Sequence, residues 1–118
     1  MSWTAEGEAR GSGVQATIGA DYRLRLPSYP GGARFYDLTA TSAGLKVRVP
    51  DARLMRCGPE VFTVYNRTGG NQVSIVAQDG STGIHTLPTG RVVDLHLVDN
   101  GTANGTWRVT ETSGVVTV

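Results

Sequence analysis

From Val61 to Val109 the chain alternates short apolar runs with clusters of small polar residues: VFTVYN, RTGGN, QVSIVA, QDGSTG, the loop IHTLPTG, RVVDLHLV, DNGTANG and TWRV. The clusters recur about every ten residues and carry the Gly, Asn, Asp and Ser that tight turns require. Four strands are predicted here, with Phe62 and Val64, Val73 and Ile75, Val93, Leu95 and Leu97, and Trp107 and Val109 facing inward. Upstream, Val14, Ala16 and Ile18 alternate with Gln15 and Thr17, and Tyr22, Leu24 and Leu26 alternate with Arg23 and Arg25. Tyr36, Leu38 and Ala40 define a third strand, and Leu45, Val47 and Val49 a fourth that stops at Pro50.

A period of two throughout, with no sustained period of 3.6, predicts an all-β fold. The expected form is a single antiparallel β-sandwich, jelly-roll-like or Greek-key, or a small partly closed barrel, with no substantial helix. Only Asp51 to Pro59 has a helical flavour, and it is too short to be more than a loop or a single turn. No internal repeat is visible; Leu26-Pro27 with Gly31 and Leu87-Pro88 with Gly90 are two similar stretches, not a series.

The 118 residues suit one domain, read as a flexible N-terminal arm over 1–12 and a single β-domain over 13–118 that ends in a short tail strand, 114–118. Glycine occupies 16 positions, and charged residues make up only 18% of the chain. The net charge of +1 provides no long-range field for nucleic acid or an anionic membrane, so neither partner is expected. Met1 to Arg10 holds Glu6 and Glu8 without an apolar run, unlike a secretory signal, and no segment reaches the length of an apolar membrane span; folding in a cytoplasm is expected. Asn66, Asn100 and Asn104 begin glycosylation sequons, but each lies in a predicted turn that favours Asn for its backbone.

Chemistry-bearing residues are sparse. Cys57 has no second cysteine for a disulfide or a zinc pair, and sits in a Met-Arg-Cys-Gly-Pro turn. A nucleophile and base set would draw on Cys57, His85 and His96, yet no motif joins them, and His96 alternates with Leu95 and Leu97 as an outward strand residue does. The Asp99-Asn100-Gly101 and Asn104-Gly105 cluster lacks the spacing of a calcium loop and reads as a hairpin turn. No catalytic residue, metal ligand or cofactor is expected.

Contact with partners is the remaining role. Trp3 on the arm and Tyr29 between Pro27 and Pro30 are aromatic residues without an evident core position. Arg25, Lys46 and Arg48 fall on outward strand positions and Arg53 and Arg56 in one loop, a solvated face or one that meets an acidic partner surface. The apolar tail residues Val115, Val116 and Val118 suit pairing with a neighbour's sheet edge.

The rhythm Val61-Phe-Thr-Val-Tyr-Asn66, Gly69-Gly70, Val73-Ser-Ile75, Gly80, Leu87-Pro88-x-Gly90, Val92-Val-Asp-Leu95 and Gly105-Thr-Trp107 resembles small β-rich virion structural proteins of tailed bacteriophages. The resemblance spans under half the chain. It implies a non-enzymatic capsid decoration (cement) protein, acting as a homotrimer bound to the major capsid protein on the outer surface of the phage head. The alternative it leaves open is a tail-tip or fibre module that binds carbohydrate or a receptor through Tyr29, Tyr36 and other loop aromatics.

Overall fold

The computed structural model describes residues 13–26, 34–58 and 61–113. Their nine strands, numbered here in chain order, are β1 (Gly13–Ile18), β2 (Tyr22–Arg23), β3 (Phe35–Ala40), β4 (Lys46–Arg48), β5 (Val61–Asn66), β6 (Val73–Val76), β7 (Gly83–Leu87), β8 (Arg91–Asp99) and β9 (Thr106–Ser113). Among the described residues the only helical element is a 3-10 turn, Ala52–Leu54, started by the Asp51 carboxylate accepting from the Arg53 backbone N–H. The all-β expectation holds, and the arm, Tyr29 and the tail strand lie outside the described residues.

The strands form two packed sheets, in the orders β9-β8-β5-β3-β1 and β2-β4-β6-β7. These are open sheets, not a closed barrel, and they correct the antiparallel expectation. Strands β1, β3 and β5 run parallel in one sheet, as do β2, β4 and β6 in the other. From β1 to β6 the chain passes to the opposite sheet after every strand, so each parallel crossover contains a strand of the facing sheet. Hairpin-like pairings would have kept consecutive strands side by side; here three turns of a flattened coil stack upon one another instead. Backbone bonds continue the stacking through the bends, from Thr41 N to Ile18 O (2.9 Å), Arg67 N to Leu38 O (2.8 Å) and Leu24 N to Arg48 O (2.9 Å).

After β6 the pattern changes. β7 pairs antiparallel with β6, β8 with β5, and β9 with β8, which ends both stacks. The expected loop IHTLPTG is the strand β7 over most of its length, because Val73, Ser74 and Ile75 offer it a ladder despite its His, Thr and Gly. The last strand runs past Val109 to Ser113 for the same reason, pairing along β8 as far as Arg91. Conversely, only Tyr22 and Arg23 of the expected second strand enter a ladder, although Leu24 and Leu26 still bury.

The alternating inward residues meet as expected. Tyr36, Leu38, Val47, Phe62, Val64, Ile75, Leu87, Val93 and Leu95 have almost no exposed surface and form one continuous core. Tyr22, Tyr36, Phe62 and Trp107 make a chain of ring contacts through it, with centroids 6.1, 6.2 and 6.4 Å apart. Burying each large side chain contributes about 1.5–3 kcal/mol, so the core accounts for the fold without a disulfide.

Two glycines mark close approaches. Gly70, in the bend between β5 and β6, lies where a Cβ would stand 3.0 Å from the carbonyl oxygen of Ala40 at the end of β3. Gly105 has φ +68°, and a Cβ there would come within 2.5 Å of the Ala52 side chain, so the β8–β9 loop can press on the 3-10 turn only with glycine. The same contact is secured by Ala52 N donating to Ala103 O (2.9 Å) and Asn100 Nδ2 donating to Met55 O (2.9 Å).

Among the described residues, Asn66 is the buried polar residue of the core. It occupies the inward position after Val64, stacked in register on Leu38, and its Nδ2 donates to Asn71 O (3.1 Å) and Leu87 O (3.0 Å). One amide thus joins β5, the bend that follows it and the end of β7 in the facing sheet. Asn66→Ala should cost about 1–3 kcal/mol, because both carbonyls would stay buried without a donor, whereas Phe62→Ala should cost about 3–5 kcal/mol through the cavity it leaves. Urea unfolding followed by circular dichroism measures both.

Candidate functional site

Among the described residues, two of the polar groupings lie at the edge where β7 faces β9 and on the outer face of the four-stranded sheet. At the first, the edge strands of the two sheets come together. His85 on β7 pairs with buried Ile75, and Glu111 on β9 pairs with buried Val93, so both side chains point between the sheets. His85 Nε2 lies 2.5 Å from Glu111 Oε1, and Arg91 Nη1 donates to Glu111 Oε2 at 2.9 Å. The histidine bond, followed by the charges of His85 and Arg91, holds the Glu111 carboxyl below the usual carboxylate range. Both carboxylate oxygens are occupied, which makes this a clasp across the sandwich.

Asp79 plays a similar part at the β6–β7 turn. Its carboxylate accepts from Thr82 Oγ1 (2.6 Å), Thr82 N (2.8 Å) and Ser81 N (2.9 Å), and also from Asn104 Nδ2 (3.1 Å) of the β8–β9 loop. These donors, led by Thr82, hold its pKa far below the ordinary value. In the same loop Asp99 accepts from Gly101 N (2.7 Å), and Asn104 O accepts from the Trp107 indole (2.9 Å). The residues that suggested calcium serve as turn and tie groups, as the hairpin reading expected.

On the outer face of the four-stranded sheet, Arg23, Arg25, Lys46 and Arg48 project between the buried residues Leu24, Leu26, Val47 and Val49. Arg23 stands directly beside Arg48 in the parallel ladder. Lys46 Nζ donates to Gly80 O (3.1 Å), and Arg48 Nη2 donates to Gln78 O. A cleft of about 300 Å³ opens next to them, with Arg23, Arg25, Leu26, Val49, Leu54 and Gln78 in its walls.

Of the residues singled out in the sequence, Arg53 is exposed and forked onto Asp51, with Nε–Oδ1 at 3.1 Å and Nη2–Oδ2 at 2.8 Å. Arg56 is exposed in the turn that follows. Trp3, Tyr29, Val115, Val116 and Val118 lie outside the described residues. Cys57 is exposed in its turn, His85 lies between the sheets and His96 on the outer face of the five-stranded sheet, so three different parts of the surface hold them. Among the described residues no three His, Cys, Asp or Glu side chains gather as a metal site. Tyr36, named above for a sugar platform, is buried in the core and cannot serve as one.

The Glu111 clasp escaped sequence reasoning, since Glu111 lay beyond the expected end of its strand and His85 in an expected loop. No protein-family model, no curated protein and no solved structure matches this chain.

The lowered carboxylates set the sign of the acid response. A group with a depressed folded pKa contributes stability that is fully present above its unfolded value, about 3.9 for Asp, and is lost as the pH falls through the folded value. Asp79→Ala should therefore melt below the wild type at pH 7, and the gap should narrow as the pH falls below about 4. Thermal melts between pH 7 and pH 2 provide the check; a gap independent of pH would contradict the role given to the carboxylate.

Proposed function

We propose that this chain is a non-enzymatic structural module of a tailed-phage particle, a decoration protein that seats on the outer surface of the head and braces the shell. The observation that carries the reading is the use made of polar side chains. Glu111, Asp79, Asn66 and Asn100 each tie one segment to another, across the sheets or between loops. Such ties stiffen a small body, and stiffness is what a bracing element supplies. The parallel stacks add to it, because a pull on one strand is shared by ladder bonds to its neighbours, each with a net value of about 0.5–1.5 kcal/mol.

In this reading the body is the spacer and the ends make the attachment. The segments 1–12 and 114–118 carry Trp3, Val115, Val116 and Val118, apolar side chains suited to contact with the main shell protein and with other copies of the chain.

The test is co-sedimentation of the purified protein with emptied phage heads, with its copy number measured against the main shell protein. Hundreds of copies per particle are expected; a handful would move the protein to a vertex or the tail. A variant lacking residues 1–12 should keep its β circular dichroism and lose shell binding. Retention of binding would refute the attachment role of the arm.

A further inference from the structure

The outer face of the four-stranded sheet has an unusual charge arrangement. Arg23 and Arg48 are directly opposed on neighbouring strands, a placement that destabilises a sheet when the charges are alike. Arg25 follows two residues after Arg23, and Lys46 precedes Arg48 by the same step, so four cations occupy one small area. The acids nearby form no ion pair with them among the described residues. Asp51 is engaged by Arg53, and Asp79 is occupied by its own turn and Asn104. Asp21 accepts the backbone N–H of Lys46 (3.0 Å), not its ammonium. Lys46 and Arg48 are steadied by the carbonyls of Gly80 and Gln78, contacts that position the charges and leave them uncompensated. Among the described residues, none of the four forms an ion pair.

An apolar feature adjoins this cationic patch. Leu54 is 63% exposed at the wall of the cleft that also presents Arg23 and Arg25. Fixed cations around an apolar notch complement a segment that carries both carboxylates and aliphatic side chains. Asp51 lines the cleft itself, and Asp21 and Asp79 lie at the margin of the patch.

We propose that this face binds an acidic, extended peptide segment of a partner protein, its carboxylates set on Arg23, Arg25, Lys46 and Arg48 and an aliphatic side chain lodged beside Leu54. Guanidinium groups suit this role through their forked, planar donors. The inference goes beyond shell binding, because it concerns the chemistry of the partner segment whatever particle carries it. A failed shell-binding assay would leave it standing.

The experiment titrates the full ¹⁵N-labelled chain with a synthetic peptide of alternating glutamate and leucine, with its glutamine–leucine counterpart, and with an oligothymidylate of similar length. The acidic peptide should shift the amides of Arg23, Arg25, Lys46, Arg48 and Leu54 in a saturable, salt-sensitive way, and the neutral peptide should not. The double variant Arg23→Gln with Arg25→Gln should weaken binding about tenfold or more, while Arg108→Gln on the other sheet leaves it unchanged. Because like charges are relieved, Arg23→Gln should also hold or raise the melting temperature of the free protein at low salt. Shifts scattered away from this face, undiminished binding by the double variant, stronger shifts of the same amides by oligothymidylate, or a lowered melting temperature for Arg23→Gln would each overturn the proposal.

Discussion

The structure depends on the parallel ladder between successive turns of the chain. Parallel neighbours cannot be joined by a tight hairpin, so a crossover must separate them. In many proteins that crossover is a helix; here it is a strand of the other sheet. Once β1, β3 and β5 stack in register, β2, β4 and β6 are carried into a second stack opposite, and the apolar residues of both meet in the space between. The core is thus a by-product of the winding, and the short bends 19–21 and 41–45 are the points where it is set.

Such a stack needs an ending, since its last turn offers unpaired backbone on both sheets. The antiparallel strands β7, β8 and β9 supply one. They cover β6 and β5, and Glu111 then joins the new edges to each other through His85 and Arg91. Asn66 makes a matching connection inside, from the last parallel strand to the end of β7. The transition from parallel winding to antiparallel closure is therefore marked by polar residues at otherwise apolar positions.

These features differ in how far the sequence reveals them. Alternation at Val14, Ala16 and Ile18, at Leu45, Val47 and Val49, and at Val93, Leu95 and Leu97 reports which side chains turn inward, and each of these sets does so. Alternation is silent about which strand lies next to which, so the stacking of Val14 on Tyr36 and of Tyr36 on Val64 left no trace. The bends between these strands differ in length, which disguises any period. Asn66 resembled a turn residue because Arg67, Thr68 and Gly69 follow it. The outward placement of Arg25, Lys46 and Arg48 was legible from local pattern, but their assembly with Arg23 into one patch follows from the parallel register.

The unequal bends have a consequence for how such a molecule can change over evolutionary time. Each turn of the coil is a separate layer whose inward residues match the layer beneath, and the antiparallel strands of the closure pair only with β5 and β6 of the last one. Duplicating or losing a layer would change the height of the body by one strand spacing, about 4.8 Å, without redesigning the clasp at His85 and Glu111. A lineage built this way can tune its length in discrete steps while keeping the same lid.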